Sequence, residues 1–243
     1  QVPLMGVLGA FVFAAQMINF SIPGTGSSGH LGGGMLLAIL LGPYAAFLVL
    51  SSVLVVQALF FADGGILALG TNIFNLGIWP CFLGLLIYRV IAGGAQSGLR
   101  RWTACIVAVI VSLELGALGV VFQTLLSGRS DLPVGRFALL MMGIHLPIAI
   151  IEGIVTVGVV EFVRSIRPGV VEEEAGAVAA KGTRRGGLVP ATVSVAALAV
   201  LVGCVLAWFA SAQPDGLEWA LERVGWAETS EAAAPAKALG QVQ

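Results

Sequence analysis

The chain has 243 residues, 58% hydrophobic and 10% charged, and its 12 Lys and Arg against 13 Asp and Glu leave a formal net charge of −1. Soluble domains carry roughly 25% charged residues, so this composition cannot coat a water-soluble globule, and it lacks the basic footprint of a nucleic-acid binder. Cys81, Cys105 and Cys204 lie inside apolar runs without Cys-x-x-Cys spacing, which excludes a zinc site or disulfide framework and reads as small buried hydrophobes.

Charge is absent from long blocks. Between Gln1 and Tyr88 only Asp63 is charged, from Trp102 to Leu126 only Glu114, and from Gly186 to Pro214 nothing. Apolar stretches of ~20 residues are long enough to cross a bilayer. The fold class is therefore all-α, a polytopic integral membrane helical bundle. The sequence opens inside an apolar run without an initiator Met, so a preceding segment is expected.

In chain order, Pro3 to Ile22 is a first span, followed by a Gly- and Ser-rich loop over 23–34. The apolar stretch Met35 to Leu41 is too short to cross, and Gly42-Pro43 breaks it, because Pro cannot continue a helix interior. Tyr44 to Phe61 is a full span ended by Asp63-Gly64-Gly65. Further spans are Ile73 to Ile91, Trp102 to Leu126, Phe137 to Phe162 and Leu188 to Ala210, which makes six crossings plus one half-helix.

Lys and Arg in the connections set the orientation. Arg89, Arg100 and Arg101, with Arg164, Arg167, Lys181, Arg184 and Arg185, give eight on one side; Arg129, Arg136, Arg223 and Lys237 give four on the other. The richer side is cytoplasmic by this rule. Alternation then puts the 23–34 loop, the Asp63 turn and the acidic C-terminal tail outside. The half-helix must begin within the membrane's thickness, a re-entrant geometry tolerated only where protein or a wet cavity surrounds irregular backbone.

Segment 168–187 reads as a polar low-complexity linker between a membrane core, 1–167, and an appendage, 188–243, of one span and a tail. Beyond that span, Asp215 and Glu218 have capping-box spacing. Leu217, Leu221 and Val224 form an apolar stripe, and Trp219 and Trp226 suit the headgroup layer. A short amphipathic helix at the outer surface is expected.

The loop Pro23-Gly-Thr-Gly-Ser-Ser-Gly-His-Leu-Gly-Gly-Gly34 carries the chemistry. Its glycines match G-x-G-x-x-G, but a dinucleotide site needs a preceding strand and an acid about 20 residues on. The spacing of a phosphate-binding loop is present too, yet His30 and Leu31 stand where Lys and Ser or Thr are required. What remains is a flexible backbone with one imidazole. A loop histidine serves either as a hydrogen-bonding group or as a ligand for nickel, copper, zinc or cobalt, and one histidine needs further ligands. His145 and Glu152 lie seven residues apart in one span, sharing a face roughly 10 Å apart. With Glu114 in the preceding span, they read first as a hydrogen-bond network stapling helices. Asp63 and Asn72 flank neighbouring spans as caps, or as supports for a site beneath His30.

The runs GTGSSGHLGGG…LAILLGPYAAFLVLSSVLVVQALFFADGGILALGTNIFNLG and HLPIAIIEGIVTVGVVEFV resemble the CbiM/NikM substrate-capture components of energy-coupling-factor transporters, over roughly residues 1–167. The appendage with Pro214-Asp215-Gly216-Leu217-Glu218 looks like the PDGLE module, related to CbiN/NikN. The resemblance implies import of cobalt or nickel as transported ions, with no permanently bound cofactor. It also implies a planar nitrogen ligand set: an N-terminal amine, the amide and imidazole of a His at the second position, and the imidazole of the Gly-rich loop. His30 stands at the loop position, while this sequence begins with Gln1 rather than the family's Met-His. Asp63, Asn72, His145 and Glu152 are the supporting candidates. ATP hydrolysis is expected on a separate CbiO/NikO-like subunit, joined through a CbiQ/NikQ-like coupling subunit in the bacterial cytoplasmic membrane. Two other classes compete with this reading. A membrane-embedded metallohydrolase using His145, Glu152 and Glu114 lacks the His-Glu-x-x-His motif. A secondary transporter built on the break at Gly42-Pro43 lacks an inverted repeat.

Overall fold

The computed structural model describes residues 2–22, 24–25, 27–93, 98–128, 133–166, 188–205, 208 and 210–224. The expected linker 168–187, Trp226 and the acidic tail lie outside the described residues. Eight helices and one hairpin are described: α1 (Val2–Gln16), β1 (Phe20–Ile22), β2 (Ser27–Gly29), α2 (Gly34–Leu41), α3 (Pro43–Phe60), α4 (Leu69–Ala92), α5 (Gly98–Leu126), α6 (Val134–Ile166), α7 (Leu188–Cys204) and α8 (Gly216–Arg223).

Four of them, α3 to α6, are long and apolar enough to cross a membrane, which agrees with a polytopic helical bundle. Six crossings were expected; among the described residues the helices at the two ends are shorter than these four. Helix α1 has 15 residues and α7 has 17, about 22 and 25 Å at 1.5 Å per residue, against a hydrocarbon core of ~30 Å. The first run stops at Gln16 instead of Ile22 because residues 20–22 leave the helix to pair antiparallel with 27–29, Ser21 opposite Ser28.

The half-helix is present and is the most enclosed element. All eight residues of α2 are buried, as expected of a helix apolar all round. It is about 12 Å long, begins after Gly33 in the left-handed region (φ 73°) and ends at Gly42, with Pro43 opening α3. The main core joins α2 to Leu4, Leu8, Phe11 and Val12 of α1, Leu50 of α3, Cys81 and Leu85 of α4, and Val157 and Val160 of α6. Helix α4 departs from α-helical register: Phe74–Gly84 is π-helical and contains Pro80, which has no N–H to give. Long π-helical stretches are rare and frequently mark functional sites.

Cys81 and Cys105 are buried as expected, whereas Cys204 is exposed near the end of α7. At one end of the bundle Glu161 of α6 accepts from Arg101 of α5 at 3.2 Å and lies 3.8 Å from Arg164. The hairpin, the His30 loop and α8 gather at the opposite end.

Candidate metal centre beneath the glycine-rich loop

The loop 30–34 is clamped rather than flexible. Glu152 of α6, 4% exposed, accepts the amide N–H of Gly32 at 2.7 Å on one carboxylate oxygen and that of Gly33 at 2.9 Å on the other. Those amides lead into α2, so a carboxylate from a different helix satisfies donors that helix starts ordinarily leave open and sits where the helix dipole favours negative charge. From the other side, the Gln16 amide donates to the Gly32 carbonyl at 2.7 Å, and Gln57 of α3 donates to Gln16 at 2.9 Å. Gly32 is thus held through both its N–H and its C=O.

Close approach, not looseness, explains the glycines. A Cβ on Gly29 would come 2.5 Å from Ile148, and one on Gly34 would come 2.5 Å from Pro80 and 2.9 Å from the Leu76 carbonyl. A side chain at 34 cannot sit there without displacing the π-helical part of α4, and one at 29 would force the Ile148 side chain aside.

His30 hangs half-buried on this fixed loop. Its Nδ1 lies 3.2 Å from the Leu31 carbonyl. A carbonyl can only accept, so Nδ1 carries the proton and Nε2 presents its lone pair. This is the arrangement by which an outer hydrogen bond orients a metal-binding imidazole.

Beside His30 opens a cavity of about 170 Å³, room for several waters. Its walls include His30, His145, Glu152, Asn72, Asn75 and Asp215. Four of the five residues singled out from sequence therefore meet at one cavity. Asp63 does not line it; exposed on the turn after α3, it donates its backbone N–H to the Gln57 carbonyl at 3.2 Å. Asn72 donates to the Gly64 carbonyl at 3.1 Å, tying the same turn to α4. His145 Nδ1 donates to the Met141 carbonyl at 2.7 Å, leaving Nε2 free of that bond. Among the described residues no three His, Cys, Asp or Glu side chains converge to hold a metal ion, so His30 is the one oriented imidazole of the loop rather than part of a closed protein cage. Glu114 stays apart, with neither carboxylate oxygen bonded.

Sequence reasoning missed Gln16, Gln57 and Asn75. Asn75, 5% exposed, donates to Gln123 of α5 at 2.7 Å. Amides inside apolar runs carry no formal charge, so the scan for charge that found Glu152 passed over them.

The appended segment meets the same site. Residues 211–214 run beside the hairpin: the Ser28 N–H donates to the Pro214 carbonyl at 2.7 Å and the Ser28 hydroxyl to the Gln213 carbonyl at 2.6 Å. Asp215 caps α8, its Oδ1 accepting the Glu218 N–H at 2.8 Å, the expected capping spacing. Trp219 corrects the expectation of a headgroup anchor. It is half-buried against Ile22, Ile144 and Ile148, and its Nε1 donates to the Thr25 carbonyl at 3.0 Å. The apolar stripe of α8 packs on Ala117, Val121, Phe137 and Met141 of α5 and α6. It covers protein instead of lipid. Glu218, beside the cap, has its carboxyl pushed up by burial and then by the Asp215 charge.

A family profile described as "Cobalt uptake substrate-specific transmembrane region" matches residues 1–170, and one described as "PDGLE domain" matches residues 190–243. A relative in Archaeoglobus fulgidus, whose name describes a fused nickel transport protein (NikMN), is 39% identical over 71% of this chain and 56% of its own length. The cobalt transport protein CbiM of Sorangium cellulosum is 30% identical over 70% of this chain and 76% of its own. A crystal structure of a truncated transition metal transporter superposes with a TM-score of 0.57 at 32% identity, over 68% of this chain and 80% of that one. The chain spans about half the length of fused relatives such as NikMN of A. fulgidus.

Proposed function

Since the chain belongs to the CbiM family of cobalt and nickel transport proteins, with a PDGLE domain appended, we propose that it is the substrate-capture component of an energy-coupling-factor type ABC transporter importing nickel or cobalt. In this reading the core 1–167 captures the ion, 168–187 links it in the cytoplasm to the appended module, and the protein works in the bacterial cytoplasmic membrane. A transmembrane coupling subunit of CbiQ/NikQ type and an ATPase subunit of CbiO/NikO type supply the energy. The ion is cargo, and the chain itself performs no catalysis.

The observation that carries the proposal is the fixed imidazole of His30. Its Nδ1–H is bound to the Leu31 carbonyl, its loop is locked by Glu152 and Gln16, and it borders a largely apolar cavity into which a few polar side chains, His145, Glu152 and Asp215 among them, are set. Imidazole nitrogen suits both nickel and cobalt. A preset donor loses little freedom on binding. One imidazole does not hold a divalent ion alone, so the reading requires further donors beside His30.

Calorimetry with nickel and cobalt chlorides on the full-length protein in detergent tests this. One ion is expected to bind per chain. His30→Ala is expected to weaken binding by about 100-fold or more, beyond the usual 10–100-fold for an outer-shell partner. Undiminished binding by His30→Ala removes His30 from the ligand set.

A further inference from the structure

The appended module supplies part of the wall of the cavity beside His30, through Asp215, Gly216 and Leu217. This wall is built into the core. Ser27 and Ser28, both fully buried, give their hydroxyls to the carbonyls of Pro214 and Gln213. Ser211 donates its N–H to the Asn19 carbonyl at 2.6 Å, and Trp219 reaches Thr25. Gly216 packs tightly against α6. A Cβ there would come 3.0 Å from Ile144 and 3.2 Å from the His145 ring, so a bulkier residue would lift the segment off α6.

Among the described residues, two carboxylates, Glu152 and Asp215, line the cavity. Both oxygens of Glu152 already accept loop amides. Asp215 uses Oδ1 to cap α8, and its Oδ2 takes no hydrogen bond among the described residues. The remaining ionisable wall groups, His30 and His145, are imidazoles. A divalent cation leaving water for a space between protein walls needs an anionic counterpart, because an uncompensated charge there is strongly disfavoured.

We propose that the PDGLE segment completes the capture site: Asp215 is its anionic contact for the incoming divalent cation, and residues 213–217, the turn leading into α8, are the wall beside which the ion reaches His30. This rests on the capture function proposed above. The Asp215 carboxylate attracts the hydrated ion by charge, and hands it to the imidazole without forming part of the tight nitrogen set. The module is thereby a working part of the site and not only an anchor.

Asp215→Asn is the discriminating variant, because Asn caps a helix about as well as Asp while removing the charge. Stopped-flow and calorimetric nickel binding would be compared for the full-length wild type, His30→Ala and Asp215→Asn, at low and high salt. The expectation is a nickel association rate for Asp215→Asn about three- to tenfold below wild type at low salt, with the gap shrinking as salt screens the charge. Gly216→Val, which pushes the wall away from His145 without changing charge, is expected to alter the rate without altering its salt dependence. If the wild type binds and His30→Ala loses binding, while Asp215→Asn keeps the wild-type rate and salt dependence, the role of Asp215 is overturned and the capture function stands. A wild type that binds neither nickel nor cobalt overturns both.

Discussion

Glu152 illustrates why a carboxylate is tolerated inside an apolar span. Its two oxygens take the two amides that open the half-helix, at 2.7 and 2.9 Å, and an unpaired buried donor costs about 1–3 kcal/mol. Glu152→Ala strands both amides, so a loss of about 2–6 kcal/mol in stability is expected. Glu152→Gln keeps one acceptor and turns an NH₂ toward the other amide, so a smaller loss is expected. Unfolding in a mixed-micelle denaturant titration measures the difference, and hydrogen exchange at Gly32 and Gly33 should accelerate in both variants. Wild-type protection in Glu152→Ala would show that the loop is held by other means. Glu152 was legible in the sequence because a charge within a span is conspicuous, but in place of a network joining helices it clamps the loop before α2, while His145 bonds within its own helix and both Glu114 oxygens are unbonded among the described residues. Its counterparts Gln16 and Gln57 were not legible. Their partners are the Gly32 carbonyl and one another, and neither contact leaves a mark on composition or period.

At the scale of elements, the half-helix is framed by two unusual glycines. Gly33 sits at φ 73° and Gly42 at φ 79°, ψ 169°; the latter region is essentially open only to glycine. Pro43 follows at once and starts α3, so the chain reverses within two residues. Gly42→Ala is expected to cost about 1–3 kcal/mol and to lower the thermal midpoint in detergent. Gly143→Ala is the control. In the middle of α6 with nothing within 4 Å of the added carbon, it is expected to be neutral, or to stabilise by up to about 1 kcal/mol. Equal midpoints for both variants would contradict the strained turn. This half-helix could be read from the sequence because Gly42-Pro43 is a local signal, and so were α3 to α6, whose apolar runs are long. The hairpin could not. Each strand has three residues, too few for a period to register, and β2 is held by carbonyls 185 residues further on. The π-helical part of α4 was equally hidden, since its run is as apolar as an α-helical span, and only Pro80 within it hints at altered register.

For the whole molecule, the central question is how the appended module sits on the core. Its amphipathic helix was legible from the Asp215–Glu218 spacing and the Leu217, Leu221, Val224 stripe, but a stripe does not say whether lipid or protein covers it. Buried serines with partners decide that. Ser27 and Ser28 expose no surface, and their hydroxyls end on residues 213 and 214, so the hairpin and the module complete each other's hydrogen bonding. Helix α7 packs on α1 as well, where Gly203 lies against Ala14. At the rim of this contact the Ser21 and Ser211 hydroxyls are 2.8 Å apart, near enough for cysteines at both positions to be joined, given that bridged Cβ atoms lie ~3.8 Å apart. In a background with Cys81, Cys105 and Cys204 replaced by Ala, the pair Ser21→Cys and Ser211→Cys is expected to cross-link under mild oxidation. Mass spectrometry of a non-reduced digest would show one peptide joining residues 21 and 211. Pairing Ser21→Cys with a cysteine at Thr103, at the other end of the bundle beside Arg101, should yield no such peptide. If neither pair joined, the module would not rest on the hairpin in the membrane, and the wall over the His30 cavity would have to be formed by something else.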